Sequence, residues 1–112
     1  MSYTVPDELE FFDKGFGYSN EYDHDEGQFS FLLNYENGIK LIFTHSPFGD
    51  CSVSAKIFVN DDLLVHIQKE GVSEIAFQSW SGEKVLRVYL GKEHHNYLVY
   101  FDPVPRIKYL EL

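Results

Sequence analysis

The most concentrated polar run of the chain is Glu21–Gly27, with the sequence EYDHDEG. Asp23 and Asp25 have the spacing of the first two ligands of an EF-hand calcium loop, which also needs a glycine at position six and a bidentate glutamate at position twelve. Counted from Asp23, those positions hold Gln28 and Asn34, and counting from the first residue of the run fails too. A solvated acidic loop, a looser cation site and a contact surface for another protein remain. Our functional prediction is the contact surface.

The histidines do not have the spacing of a zinc site. No His-Glu-x-x-His motif is present, and a single cysteine cannot build a finger or a ribbon. His66 falls in the polar phase of a predicted strand, and adjacent side chains on extended backbone, as at His94 and His95, point to opposite sides. We therefore predict surface histidines, no metal and no cofactor. The five are His24, His45, His66, His94 and His95.

Motifs for catalysis and for nucleotide binding are missing from the sequence. It has no Gly-x-Ser-x-Gly elbow, no Gly-x-Gly-x-x-Gly fingerprint and no Walker-type lysine motif, so we predict a protein without enzymatic activity. Cys51 is the only cysteine, which rules out an intramolecular disulfide and fits a reducing compartment. The N-terminus lacks the basic region and the small-residue cleavage site of a signal peptide, and every apolar run is too short to span a bilayer. We predict a cytoplasmic protein.

Acidic residues are concentrated in the first quarter of the chain. The net charge is −9, and residues 1–27 hold eight acids against one base, which leaves −7 there and −2 in the remainder, where ten acids face eight bases. Such a surface repels nucleic-acid phosphates and attracts a basic protein. Acids that only keep an aromatic-rich domain soluble are the alternative explanation.

The chain after residue 27 has the pattern of short strands joined by brief turns. Asn37-Gly38 is a strong hairpin signal because both residues tolerate positive φ. Apolar and polar residues alternate in the middle of the chain, as in strands with one buried face. The 112 residues therefore predict one mainly β domain, an antiparallel sheet of seven to eight strands forming a sandwich or a strongly curved sheet. The predicted strands are Gln28–Tyr35, Ile39–His45, Ser52–Val59, Leu63–Lys69, Ser73–Trp80, Lys84–Leu90, Tyr97–Phe101 and Arg106–Glu111.

The first 27 residues differ and predict one short helix packed on the 28–112 β core. Thr4 is a plausible N-cap, because a proline and an acid follow in the first turn. Val5, Leu9 and Phe12 have the spacing of a buried helical face, and Gly15 is placed to end the helix.

Aromatic residues are frequent, with eight tyrosines, ten phenylalanines and one tryptophan. Tyr18 and Tyr22 lie within the acidic segment, and tyrosines beside charges are typical of protein-contact surfaces. Phe58 and Trp80 fall opposite the aliphatic phase of their strands, where a second buried layer would explain them. The predicted partner-binding residues are Tyr18, Glu21, Tyr22, Asp23, Asp25 and Glu26.

A small, acidic, aromatic-rich β domain without a catalytic signature resembles the immunity proteins of bacterial toxin systems, those of contact-dependent inhibition in particular. The resemblance is one of overall character along the whole chain. It implies a cognate toxin, often a basic nuclease, whose active site the immunity protein covers. The acidic run would then stand in for the phosphates that such a toxin binds.

Two other functions compete with this prediction. A carbohydrate- or small-ligand-binding β-sandwich would use exposed aromatic rings, such as those of Trp80, Tyr89 or Tyr97, as stacking platforms. A subunit of a larger assembly would instead bury an apolar face. The sequence predicts neither nucleic-acid binding nor membrane binding, and it leaves the oligomeric state open.

Overall fold

A computed structural model describes residues 3–91 and 95–111, with side chains for 3–91 and 97–109. The described chain is mainly β and contains one short helix, as predicted. Its first element is helix α1, Glu8–Asp13. The strands are β1 (Gly17–Tyr18), β2 (Phe29–Asn34), β3 (Ile39–Ser46), β4 (Ser52–Val59), β5 (Asp62–Lys69), β6 (Glu74–Trp80), β7 (Glu83–Tyr89), β8 (His95–Asp102) and β9 (Arg106–Glu111).

The strands form two antiparallel sheets, one of five strands (β1 to β5) and one of four (β6 to β9), each in sequence order. This order follows from the turns, because a short turn places consecutive strands side by side. Asn37 and Gly38 have φ of 63° and 75° between β2 and β3, and Ser81 and Gly82 have φ of 52° and 76° between β6 and β7. The predicted Asn-Gly hairpin is confirmed. Strand β8 begins at His95, two residues before the predicted strand Tyr97–Phe101, and residues 92–94 lie outside the described part.

The two sheets share one apolar core, and α1 closes it at one end. Phe11 is fully buried and stacks on Phe31 of the five-stranded sheet, with 4.1 Å between ring centroids. The same ring meets Phe77 of the four-stranded sheet edge-on at 5.0 Å. Burying a phenylalanine side chain contributes roughly 1.5–3 kcal/mol to the stability of a fold. Because the Phe11 ring contacts both sheets, it links the helix to each of them. The segment before the helix also joins the four-stranded sheet, because Thr4 pairs in parallel with Glu74 of β6.

The helix differs in detail from the prediction. Its N-cap is Asp7, whose Oδ1 accepts a hydrogen bond from the Glu10 backbone N–H at 2.9 Å, and Thr4 pairs with a strand instead. Leu9 and Phe12, predicted to be buried, are exposed, and Phe11 takes the buried position. The prediction that Leu9 and Phe12 are buried assumed a helix that starts near residue 5. Because it starts at Glu8 and lasts six residues, a different side faces the core.

Strand β5 is more exposed than its alternation suggests. Leu63 and Val65 follow the pattern of a half-buried strand, yet both are exposed, and so is Leu64 between them. An irregularity between Ile57 and Phe58 shifts the register of β4 against β5. Since β5 is also the edge strand of its sheet, its side chains gain no cover from a further strand. No helix in the described part of the chain has the length and apolar character needed to cross a bilayer.

Candidate protein-binding surface

Two tyrosines and a glutamate from separate elements meet at one end of the molecule. Glu8 lies on α1, and its two carboxylate oxygens each accept a hydrogen bond of 2.6 Å, one from the Tyr18 hydroxyl and one from the Tyr22 hydroxyl. The rings of Tyr18 and Tyr22 are in contact edge to face, with centroids 4.5 Å apart. The two hydroxyl donors lower the pKa of Glu8, and the effect of Tyr18 is the larger one. The carboxylate in turn raises the pKa of both tyrosines. Glu8 therefore stays ionised and holds two tyrosine rings in place.

The acidic loop, residues 23–28, follows these tyrosines and is closed by its own backbone. Asp23 and Gln28 exchange backbone hydrogen bonds of 2.8 and 2.9 Å, and the Asp23 carboxylate accepts a bond from the backbone N–H of Glu26 at 3.2 Å. Gly27 adopts a φ of 68°, which glycine tolerates best. This turn exposes Asp23, Asp25 and Glu26 to solvent. Among the described residues, no lysine or arginine forms an ion pair with any of these three carboxylates.

Glu21 has a different environment from the other predicted contact residues. Its carboxylate pairs with Lys56 on β4, with both Nζ–Oε distances at 3.1 Å. Its backbone carbonyl accepts a hydrogen bond from Gln28 Nε2 at 2.6 Å, and its N–H donates to Ser19 Oγ. The negative charge of Glu21 is thus compensated within the molecule. Its contacts anchor the loop to the sheet.

The structure places five of the six predicted contact residues on one continuous surface. Tyr18 is 52% exposed, and the half-buried Tyr22 connects it to the loop. We call this set, together with Glu8, the acidic surface: Glu8, Tyr18, Tyr22, Asp23, Asp25 and Glu26. Glu21 lies behind it as an anchor. Glu8 could not be predicted as part of this surface, because its contacts join residues ten and fourteen positions apart on different elements.

A cavity of about 300 Å³ opens beside the acidic surface. Three phenylalanines, two carboxyl residues and one histidine contribute to its lining: Phe29, Phe31, Phe48, Asp7, Glu8 and His45. Phe48 is 68% exposed and forms an outer edge, while Phe31 is buried. The acidic loop adjoins the cavity, because a Cβ atom added at Gly27 would lie 3.6 Å from the Phe48 ring.

His45 is buried in the lining of this cavity, contrary to the prediction that the histidines lie on the surface. It is 4% exposed and stacks on Phe29, with centroids 5.2 Å apart and planes 20° from parallel. Burial lowers its pKa to about 4, so the imidazole is neutral near pH 7. Its Nδ1 is buried without a hydrogen-bond partner. The alternation of β3, where Leu41 and Phe43 are also buried, was the sequence signal that places His45 inside.

The other histidines and the possible metal ligands give no site. His24 and His66 are exposed, as predicted, and His66 Nε2 lies 3.0 Å from Ser54 Oγ. His94 and the side chain of His95 lie outside the described residues. Within 3–91 and 97–109, no group of three or more His, Cys, Asp or Glu side chains is arranged to hold a metal ion.

The aromatic residues suggested as carbohydrate platforms are not an exposed set. Tyr97 is 0% exposed and donates a hydrogen bond to the Ile67 carbonyl, so its prediction as an exposed platform is wrong. Trp80 is half-buried and packs against a second small apolar cluster that includes Tyr100. Tyr89 is also half-buried, and the Arg87 guanidinium lies over its ring at 4.9 Å. These rings serve packing within the domain.

The chain matches no protein-family model and no curated protein. Among solved structures it is similar to a chain of the contact-dependent growth inhibition toxin–immunity protein complex from Klebsiella pneumoniae 342. That similarity covers 100% of both chains with a TM-score of 0.81 at 15% sequence identity. At that identity the likeness establishes a shared fold. The resemblance predicted from the sequence is therefore confirmed at the level of the fold.

Proposed function

We propose that this protein is a bacterial, cytoplasmic immunity protein that has no enzymatic activity and neutralises a basic toxin by binding it. The observation that carries the proposal is the full-length fold similarity to a chain of a toxin–immunity protein complex. Such a complex contains a toxin and an immunity protein. The net charge of −9 and the lack of a catalytic motif favour the immunity role.

The acidic surface is the part of the molecule that suits a basic partner. Three exposed carboxylates, those of Asp23, Asp25 and Glu26, have no described cation beside them, so their field acts on an approaching protein. Oppositely charged patches speed encounter and fix orientation. Tyr18 and Tyr22 add large rings held by Glu8, and ordering them in advance reduces the entropy lost on binding. Glu21 contributes by anchoring the loop through Lys56.

A nuclease toxin fits this surface best. The active site of a nuclease binds the phosphates of its substrate, and a row of carboxylates on a short loop presents negative charge in a comparable way. An immunity protein that places this loop over the active site would exclude the nucleic acid. The mechanism needs no chemistry from the immunity protein itself.

A growth selection tests the proposal. Genomic fragments from the source cell are expressed from an inducible promoter, with and without this chain, and fragments that arrest growth only in its absence are recovered. We expect at least one recovered fragment to encode a basic protein that binds this chain directly. Expression of this chain alone is the control and should leave growth unchanged. Growth arrest by this chain alone, or no fragment that it neutralises, would contradict the proposal.

A further inference from the structure

The charged residues that line the cavity beside the acidic surface are of one sign. Asp7 and Glu8 are among its described lining residues, and neither lysine nor arginine is. Asp7 uses one oxygen to cap α1, and each Glu8 oxygen, which has accepted one tyrosine hydroxyl, retains acceptor capacity. An anion is therefore repelled, and a group with several hydrogen-bond donors is favoured.

His45 gives a second, independent indication that a ligand belongs here. A buried polar atom without a hydrogen bond destabilises a protein by about 1–3 kcal/mol, and native structures contain few of them. Nδ1 of His45 is such an atom, in a side chain that contributes to the cavity lining. In a neutral imidazole that carries its proton on Nε2, Nδ1 is an acceptor. A donor that enters the cavity would satisfy it, whereas a purely apolar group would leave it unpaired.

The rest of the lining is apolar, with Val5, Pro6 and Pro47 beside the phenylalanine rings. Phe29 and Phe48 lie against each other edge to face, with centroids 6.4 Å apart, and Phe48 is largely exposed at the opening. A planar guanidinium stacks on such rings and is less strongly hydrated than an ammonium group, so it enters an apolar cavity more readily than lysine. The volume of about 300 Å³ is at the lower end for a ligand pocket, which suits one side chain better than a folded segment.

We propose that this cavity receives an arginine side chain of the basic partner. The guanidinium contacts Phe48, donates hydrogen bonds to the carboxylates of Asp7 and Glu8, and supplies the donor that His45 Nδ1 lacks. That the arginine belongs to a toxin rests on the proposed function above. The cavity and the acidic loop then form one site, in which the loop attracts the partner and the cavity fixes its register.

The cavity can be tested on this chain alone by titrating it with N-acetyl-arginine amide and recording NMR spectra of the His45 imidazole and the Phe48 ring. N-acetyl-lysine amide and N-acetyl-norleucine amide are the competing probes. We expect saturable shifts with the arginine probe only, and two- to fivefold weaker binding after Phe48→Ala, about what loss of one cation–π contact gives. Leu64→Ala on β5 removes an equally exposed apolar side chain and is the matched control.

The outcomes separate this inference from the proposed function. No saturable shift at His45, or equal binding of the lysine or norleucine probe, would overturn the arginine cavity even if the growth selection succeeds. If the selection recovers a toxin, Phe48→Ala and Asp7→Asn should each weaken its binding; asparagine keeps the helix cap and removes the charge. Toxin binding unchanged by both would overturn the assignment to the partner. Failure of the selection would overturn that assignment too, but would leave the titration result intact.

Discussion

The acidic surface and the edge strand β5 are both exposed, but they are built in opposite ways. On the acidic surface the exposed groups are carboxylates and tyrosines, and contacts from α1 and from the loop backbone hold them. On β5 the exposed groups are the aliphatic side chains of Leu63, Leu64 and Val65. One acid next to β5, Asp61, is paired, since its carboxylate meets Lys40 at 2.8 Å.

This difference shows which exposed region is suited to specific binding. Uncompensated charge acts at a distance and selects a partner of opposite charge, whereas a paired surface charge contributes little. Ordered tyrosines bury much area with little loss of entropy on binding, and exposed leucines on an edge strand offer area without charge selectivity. We therefore propose that the partner is recognised by the acidic surface and not by β5.

The largest expected effect comes from reversing the charge of the acidic loop. Asp23, Asp25 and Glu26 changed together to lysine should weaken binding of the toxin recovered in the growth selection by a factor of roughly 10³, mostly through slower association. Stopped-flow kinetics measures this directly. For the unmodified chain, rising salt should slow association much more than dissociation.

A matched variant separates local charge from total charge. Glu36, Glu70 and Glu74 are exposed acids elsewhere, and changing all three to lysine gives the same net charge of −3, six units above −9. We expect this variant to change the association rate by less than about tenfold at physiological salt, because these three acids lie outside the acidic surface and salt screens charges away from the contact. Equal losses in the two variants would assign the effect to net charge and not to the acidic surface.

The next effect is on stability and compares His45 with His66 on β5. The pKa of His45 is about 4 in the folded protein against 6.5 when unfolded, so the unfolded state binds more protons between those values. The contribution of His45 to the free energy of unfolding is fully present above pH 6.5. It is lost as pH falls to 4, which lowers the stability by roughly 3 kcal/mol. Chemical denaturation across this range should show that loss.

Acidic groups also contribute to the pH dependence of stability. Glu8, whose pKa is lowered, loses its contribution at lower pH. Two variants therefore separate the contribution of His45 from that of the acids. His45→Phe keeps an aromatic ring beside Phe29 and should flatten the profile between pH 6.5 and 4. His66→Asn changes an exposed ring and should leave it unaltered. An unchanged slope in His45→Phe would show that His45 is not the group responsible.

A smaller effect is expected from the glutamate that holds the tyrosines. Glu8→Gln removes the charge and one of two acceptor oxygens, so one tyrosine hydroxyl loses its acceptor and toxin binding should weaken about tenfold. Asp61→Asn removes a similar charge from the exposed pair with Lys40 and should alter binding less than twofold. Isothermal titration calorimetry on both variants tests the contrast. Similar affinities for the two would mean that the order of Tyr18 and Tyr22 is irrelevant to binding.

The smallest effect belongs to β5 itself. Leu64 is 64% exposed, and Leu64→Ala should change toxin affinity by less than about twofold and stability by no more than about 0.5 kcal/mol. A large loss of affinity in this variant would move the binding surface from the acidic end to the edge strand.

Features that depend on local conformation could be predicted from the sequence. The Asn37-Gly38 hairpin follows from two residues that tolerate positive φ, and the predicted strand Ser52–Val59 matches β4 at both ends because alternation and turns agree there. The exposure of β5 could not be predicted in this way. Leu63 and Val65 alternate as a core strand does, and only the register shift in β4 and the position of β5 at the sheet edge leave them uncovered.

The residues of the site also fall into those that the sequence predicts and those that depend on tertiary contacts. Composition alone indicated that the acidic run is a surface, and Tyr18 and Tyr22 were singled out because they lie beside it. Glu8 and Phe48 could not be found from the sequence, because they join the site through contacts between elements distant in the chain. The pairing of Glu21 with Lys56 is also tertiary, and it separates Glu21 from the carboxylates that face solvent.

The most direct test of this account is hydrogen–deuterium exchange of the chain, free and bound to the toxin recovered in the growth selection. Peptides that cover residues 18–31 and 45–48 report on the acidic surface and the cavity, and peptides that cover 60–66 report on β5. We expect slower exchange on binding in the first two regions and no change in the exchange rate in the third. Slower exchange confined to 60–66, with the acidic surface unchanged, would contradict the account.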